Sequence, residues 1–451
     1  FEHAYTAAPL CGPSRTALFT GVPPHRSGYY AHDRHFRAYE TLTDAVTLPQ
    51  HLKNNGYFTS GIGKVFHKGR SYLDRGYFSD WPDQLFSWSE WVEVHSGTST
   101  SHDSVIERSE QLSPYWNNSG KNRLNFTRFG VTNVPTEISN DYQNAKHIAD
   151  LMVEGESSIT DFRGRERNIE LPTDRPFFLA AGIFAPHLPW VVEQEYYDLF
   201  PQSEMAIDRA LLNWVEGTLK DLPPSGQRWT QSTGFTRLLE FGLEVDGEGG
   251  DINAWRAKFQ AYLATVAYAD RCIGVLLEAI ENNPRKDNTV VILWSDHGYH
   301  IGDHMREGKT TLWEAANLSN ILVIDPRAPE SAGKRSQTPI SLQDLYPTVA
   351  GMAGLGRPGH VHGNNIAPLL GDPSQSWDGA VLNTHGEGNH AIRTERYRYI
   401  RYANGDKELY DMQADPFEAT NMAADESHAA LLAELNAELD NLLSREPGDF
   451  R

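Results

Sequence analysis

Two apolar runs that stop abruptly at polar side chains constrain this chain more than any other feature. Pro176-Phe-Phe-Leu-Ala-Ala-Gly-Ile183 leads into Ala185-Pro-His187, and Thr289-Val-Val-Ile-Leu-Trp294 leads into Ser295-Asp296-His297-Gly298. Buried strands read this way when they deliver side chains to a site at their C-terminal edge. Between the runs, Trp255, Phe259, Leu263, Val266, Asp270, Ile273 and Leu277 recur at helical spacing, so a long amphipathic helix feeds the second strand. Strand and helix alternate, which predicts an α/β fold with a mixed, mostly parallel central sheet flanked by helices. Shorter helices are expected at Leu48–Asn55, closed by Gly56, and at Ser341–Ala353. Residues 70–140 and 195–250 are weakly periodic and rich in Trp, Gly, Ser and Asn, and are expected to be loops or insertions over the sheet. Strand-like pieces at Ala391–Thr394 and Tyr397–Tyr402 precede a helix from Ser427 to about Arg445, which predicts a smaller C-terminal α+β subdomain. The expected division is 1–375 and 376–451.

The apolar runs are all far shorter than the roughly 20 residues of a membrane span, so no membrane association is expected. With 40 Lys and Arg against 60 Asp and Glu, the net charge of −20 disfavours nucleic acid and anionic membranes. An anionic substrate must therefore meet a locally basic pocket. The only cysteines, Cys11 and Cys272, are too few for a disulfide framework. The sequence opens at Phe1 and shows no charged-then-apolar leader of its own.

The most informative stretch is Pro9-Leu-Cys11-Gly-Pro13-Ser14-Arg15-Thr-Ala-Leu18-Phe-Thr20-Gly21. Four further elements accompany it: Gly63-Lys64-Val-Phe-His67, Ala185-Pro-His187-Leu-Pro-Trp190, Ser295-Asp296-His297-Gly298 with Lys309 downstream, and the tail from Arg393 through Asn421. Together they resemble the type I, formylglycine-dependent sulfatases of the alkaline phosphatase superfamily, in the branch that resembles iduronate-2-sulfatase and choline sulfatase. A match at seven fixed positions around one cysteine is far more specific than a lone glycine-rich loop.

The resemblance implies that Cys11 is converted to formylglycine by a formylglycine-generating or equivalent maturase. A hydrated aldehyde suits the reaction because one hydroxyl can attack sulfur and the other can later expel sulfate. Arg15, one turn on, would hold the hydrate and the metal-site carboxylates in register. Lys64 and His67, three apart, face one pocket and in the family bind the sulfate oxygens and the formylglycine hydroxyl. His187, fixed between two prolines, would touch sulfate or protonate the leaving oxygen. Lys309 would neutralise that oxygen. Asp296 offers the hard oxygen that Ca²⁺ prefers, and His297 stands where many sulfatases carry Asn. His300 and His304 are four apart, but Gly302 between them favours a loop and a supporting role. The family's paired acidic metal ligands lie on a strand upstream of Ala4-Tyr5 and are not in this sequence, so Asp296 and His297 stand as an incomplete ligand set.

The implied activity is hydrolysis of sulfate esters on a sulfated carbohydrate, with Ca²⁺ as cofactor and a periplasmic or secreted location. His32, His35, Arg37 and Trp190 are candidate sugar contacts, and Trp81, Trp88, Trp91, Trp214 and Trp229 offer further ring faces, although most read as packing. Asn117, Asn125 and Asn317 head short glycosylation patterns. Two other readings stay open: a formylglycine-dependent phosphonate or phosphate ester hydrolase, and a truncated pseudoenzyme that binds sulfated glycans.

Overall fold

The structure is a computed structural model that describes residues 1–67, 83–92, 94, 111–112, 128–161, 164–231, 234–375, 377 and 379–450. Trp81, Asn117 and Asn125 lie outside the described residues. Strand Phe58–Gly63 runs parallel to Glu90–Val92 on one side and to Phe177–Gly182 on the other, with Phe58 opposite Phe177 and Gly63 opposite Gly182. The first expected strand is therefore present in a parallel sheet. The second, Val291–Trp294, pairs antiparallel with Ile321–Ile324. Ala4–Tyr5 joins Ile340–Ser341 in parallel and Leu318–Ser319 antiparallel. Among the described residues these strands form three small sheets, one parallel, one antiparallel and one mixed, where the sequence predicts a single central sheet.

The helix expected between the two runs spans Gly250–Asn282, 33 residues and so about 50 Å long. Its buried stripe is Trp255, Ala261, Ala264, Tyr268, Cys272 and Ala279, rotated from the expected one; Val266 and Leu277 are exposed. Small side chains let it pack closely on helices Asn140–Val153 and Gly234–Asp246, which the larger apolar residues would have held apart. The segment 195–250, expected as loops, contains helices Arg209–Gly217, Pro224–Gln231 and Gly234–Asp246. Each is short, so a buried pair such as Leu212 and Val215 gives too little periodicity to register in sequence. Leu48–Asn54 forms as expected, opened by a capping box between Thr47 and Gln50. The expected Ser341–Ala353 helix resolves into a 3₁₀ turn, Leu342–Asp344, and a helix, Leu345–Met352. None of the described helices is long and apolar enough to cross a membrane.

Residues 381–450 build a four-stranded antiparallel sheet, Val381–Thr384, His390–Arg393, Tyr397–Arg401 and Lys407–Asp411, followed by helix Ala429–Ser444. Period-two alternation gives this sheet two buried faces. Ile392, Tyr399 and Leu409 pack against Leu435, Leu439 and Leu442 of the helix. Ala391, Ile400 and Tyr410 pack against Leu312 and Trp313 of the larger unit. Asn317 is fully buried and donates to the carbonyls of Thr311 and Trp313, so it is no glycan acceptor in the folded chain.

One buried arginine at this junction serves two carboxylates. Arg398 bonds Glu314 and lies 3.1 Å from Glu418. Burial of Glu314 is outweighed by Arg398 and Arg393, which hold its carboxyl below the usual range. Burial instead pushes Glu418 up to about 8, against the pull of Arg398 and His304. The folded chain thus keeps the Glu418 proton to higher pH than the unfolded chain. The stability this adds is fully present below about pH 4.5 and is lost as pH rises through about 8. Glu418→Gln keeps an acceptor for the Glu314 N–H and removes the titration. Its melting temperature should fall less than that of the wild type between about pH 5 and about pH 9; parallel curves would show that Glu418 does not titrate in that window.

Candidate active site

Cys11 opens a ten-residue helix, Cys11–Thr20, of which every residue but Arg15 is buried. Gly21 ends it in the left-handed region at φ 69° and returns its N–H to Ala17, the conformation in which glycine alone pays no Cβ penalty. Leu10, the residue before Cys11, supplies no side-chain cap, and the positive end of the helix lies at the cysteine.

Three other segments converge there. Strand Phe58–Gly63 ends in Lys64, whose N–H bonds Gly182 O at 3.0 Å; a Cβ on Gly63 would sit 2.2 Å from that oxygen, so the crossing requires glycine. Lys64 Nζ lies 3.7 Å from Cys11 Sγ, and a ring nitrogen of His67 lies within 4.8 Å of the sulfur. After strand Val291–Trp294, His297 Nε2 approaches Sγ to 3.2 Å while its Nδ1 donates to Gly298 O at 2.7 Å. Lys309 Nζ stands 2.8 Å from Sγ. Arg15 fastens the set: its Nε bonds Asp296 Oδ2 at 2.8 Å, and Nη1 donates to the carbonyls of Val65, at 2.9 Å, and Lys64.

The charges follow from this packing. Burial would raise the Cys11 thiol, but Lys64, Lys309 and His297 outweigh it and hold it well below its usual range. Burial likewise opposes the charge on Asp296, and Arg15 and His297 keep its carboxyl low. Burial pushes the Lys64 ammonium down, against Cys11 and Asp296. His187 is held well below the usual imidazole range by burial and then by Lys64 and Lys309. Its Nδ1 donates to Leu188 O at 2.7 Å, so the neutral ring presents Nε2 as an acceptor.

A family model described as sulfatase matches residues 1–355, and one described as N-sulphoglucosamine sulphohydrolase, C-terminal, matches residues 302–445. The chain belongs to the sulfatase family. It is a sulfuric ester hydrolase by descent, and members of the family generally use formylglycine and a metal. A sulfatase of Formosa agariphila is 29% identical, covering 98% of this chain and 80% of that protein. Mouse (Mus musculus) iduronate 2-sulfatase is 25% identical over 96% of this chain and 86% of its own length, and the choline-sulfatase of Rhizobium meliloti is 25% identical over 94% and 75%. Among solved structures, a protein in complex with its substrate D-glucosamine-2-N,6-O-disulfate aligns with a TM-score of 0.67 at 21% identity over 98% of this chain and 89% of that one. The phosphonate monoester hydrolase of Agrobacterium radiobacter aligns at 0.72 with 18% identity, over 98% and 87%. The fold is the alkaline phosphatase-like one of the sulfatases.

In this sulfatase, two of the residues read as sugar contacts serve packing instead. Trp190 is fully buried and donates its indole N–H to Pro186 O at 2.7 Å, bracing the loop of His187 with no ring face left for a sugar. Arg37 is spent on a bidentate pair with Asp83 and on the carbonyls of Thr43 and Ala45. His35 caps the short turn Phe36–Ala38 and stacks on Phe36. His32 does lie at the site, accepting from Gly12 N–H at 2.8 Å. Trp88 and Trp91 are core residues, and Trp214 is exposed beside Phe417. His300 lies on the short strand His300–Ile301, where a loop was expected, and His304 in the 3₁₀ turn Asp303–Met305; the two cluster with Asp303, and His304 stacks on Trp313 at 4.3 Å.

Asp296 groups with Cys11 and His297, and among the described residues this set holds a single carboxylate. Ca²⁺ takes roughly six to eight oxygen ligands, so these residues alone do not fit it.

Sequence reading missed Asp141. Buried in the first turn of helix Asn140–Val153, it accepts from Phe184 N and Ala185 N, both at 2.9 Å, and so pins the loop that carries His187. Burial pushes its carboxyl up to about 6, against those two donors and Lys64. An acidic residue at a helix start is ordinary, so only the fold reveals its partner. Asp141→Ala leaves two buried N–H groups unpaired, at a cost of about 1–3 kcal/mol each. Turnover should fall on the order of 100-fold through displacement of His187, as kinetics beside urea unfolding would measure; wild-type turnover in a destabilised variant would separate the pin from the chemistry.

Proposed function

We propose that this chain hydrolyses sulfate esters of a sulfated carbohydrate through a formylglycine derived from Cys11. The observation that carries the reading is the convergence of Lys64, Lys309, His67 and His297 on the side chain of residue 11. Two ammonium groups and two imidazoles around a buried centre suit an anionic tetrahedral ester, the charge that grows on it as sulfate is released, and the hydroxyls of a hydrated aldehyde. The relatives support the substrate class: an N-acetylglucosamine-6-O-sulfatase of Bacteroides thetaiotaomicron and an ulvan-active sulfatase of Formosa agariphila are among them.

Formylglycine supplies a nucleophilic hydroxyl together with a second one that lets sulfate be expelled afterwards. The chain's own residues do the rest. Lys64 and Lys309 hold sulfate oxygens and offset the charge that grows on them. Arg15 keeps residue 11, the Lys64 backbone and Asp296 in one register. Lys309 gives the leaving oxygen its proton, a role assigned to it over His187 because the neutral His187 ring has its N–H tied to Leu188. His67 removes a proton from residue 11 when sulfate departs. Asp296 and His297 would be two ligands of a Ca²⁺ ion whose remaining oxygens come from elsewhere, so no step here runs through the metal. A maturase supplies the oxidised residue 11, and the large polar substrates fit a periplasmic or secreted enzyme.

The test is sulfate release from sulfated oligosaccharides, by ion chromatography, after mass spectrometry has established the aldehyde at residue 11. Cys11→Ala should abolish turnover with an unchanged melting curve, and Lys309→Ala should lose on the order of 100-fold or more in kcat. Sulfate release by Cys11→Ala at the wild-type rate would sink the reading. A second reading, phosphonate ester hydrolysis, is favoured by the structural likeness to a phosphonate monoester hydrolase. Rates on paired aryl sulfate and aryl phosphonate substrates separate the two, the first reading requiring the sulfate to be faster.

A further inference from the structure

His32 touches the site in a way that a substrate contact does not require. Its ring lies flat against that of His67, centroids 3.6 Å apart and planes 19° apart. Its Nε2 accepts from the backbone N–H of Gly12, the residue after the nucleophile position, at 2.8 Å. The approach is so close that a Cβ on Gly12 would lie 2.6 Å from His32 Cδ2 and 2.6 Å from the Tyr29 hydroxyl. Ring nitrogens of His32 and His67 and the Cys11 sulfur all fall within 4.8 Å of one another.

We infer that His32 is a positioning residue for His67: it anchors on the Gly12 N–H, stacks beneath the His67 ring, and fixes the direction in which that ring meets residue 11. Three physical points support this. First, the Gly12 N–H can donate only to an unprotonated Nε2, so the ring proton sits on Nδ1 and His32 is neutral. Second, a neutral imidazole is the partner that a stacked His67 needs when it takes up a proton, since two stacked cations would repel. Burial, and then the neighbouring His67, push His32 down to about 3, with Lys64 and Lys309 adding to the effect and Cys11 opposing it. Third, Gly12 occupies the free position of the Cys-x-Pro-Ser-Arg element, and in this chain the absence of its side chain is what admits the His32 ring. Glycine and histidine therefore form a matched pair 20 residues apart. The sugar contact expected of His32 gives way to a role exerted through another side chain.

The kinetic arm of the test rests on the formylglycine reading; a spectroscopic arm does not. Three variants divide the two interactions. His32→Phe keeps a ring against His67 but accepts nothing from Gly12, His32→Asn keeps an acceptor without the ring, and His32→Ala keeps neither. With equal formylglycine content and melting temperature established for each, kcat on a sulfated oligosaccharide should fall on the order of 100-fold in His32→Ala. KM should change little, and Phe should restore more of kcat than Asn. A raised KM at unchanged kcat would make His32 a substrate contact and overturn the proposal, as would wild-type kcat in His32→Ala. Nitrogen-15 imidazole spectra of the Cys11 protein at neutral pH form the second arm. They should show His32 neutral with its proton on Nδ1, and His67 signals that move in His32→Ala. A proton on His32 Nε2, or His67 signals that do not move, would overturn the proposal even in a protein that releases no sulfate, so its failure and that of the sulfatase reading are told apart.

Discussion

The site depends first on the grip of Arg15. One guanidinium bonds the Asp296 carboxylate and the carbonyls of Lys64 and Val65, and so joins the cysteine helix, the Lys64 turn and the strand end that carries His297. Ser14, beside it, donates to the Asp296 carbonyl at 2.5 Å. The pair is largely buried, its side chains 12% and 13% exposed. Removing one partner of such a pair leaves an uncompensated charge and typically costs about 3–5 kcal/mol. A planar, forked cation is what the arrangement demands, since a lysine there could not reach a carboxylate and two carbonyls at fixed angles.

With that frame in place, the site gathers cations inside a chain of net charge −20. Lys64 and Lys309 both face residue 11, and the anions they meet are the thiol and, through Arg15, Asp296. Ammonium groups drawn partly out of water are costly unless an anion answers them. The low thiol pKa of Cys11 is one expression of that need. Nothing in this inner group separates sulfate from phosphonate, and both sulfatases and phosphonate monoester hydrolases share the fold. Selection between them has to come from the side chains around the ester and from the proton available at the leaving oxygen.

What was legible in the sequence was whatever the chain writes contiguously. The element from Cys11 to Gly21, the pair Lys64 and His67, and the strand end at Asp296 each carry their chemistry within a few residues, and strand and helix periods locate them. Partners that arise only on folding were not legible. Asp141 and Gly12 look like an ordinary helix start and an ordinary variable position until Phe184, Ala185 and His32 arrive. Arg37 and Trp190 were misread for the converse reason: residue type suggested a ligand contact, while Asp83 and Pro186, distant or unremarkable in sequence, had already claimed their polar groups. The rotated stripe on the long helix has the same origin, because alanines pack closer than the larger residues a hydrophobic pattern rewards.

The C-terminal sheet completes the site from behind. Thr310 follows Lys309 at φ 75°, a conformation costly for a β-branched residue and maintained only where its surroundings over-determine it. Arg306 donates to Lys309 O at 2.9 Å and Thr310 Oγ1 at 2.8 Å, and Thr310 N bonds Pro9 O, two residues before Cys11. The next residues are seized by the sheet and the segment after it: Arg398 bonds Leu312 O and Glu408 takes the Trp313 indole N–H, while Glu418, beyond the last strand, takes the Glu314 N–H. Polar side chains on an inner sheet face would be a liability in a core built for stability alone. Here they are the anchors that hold a strained turn, and the turn aims Lys309 at residue 11. The smaller sheet therefore reaches, through its buried face, the turn that carries Lys309.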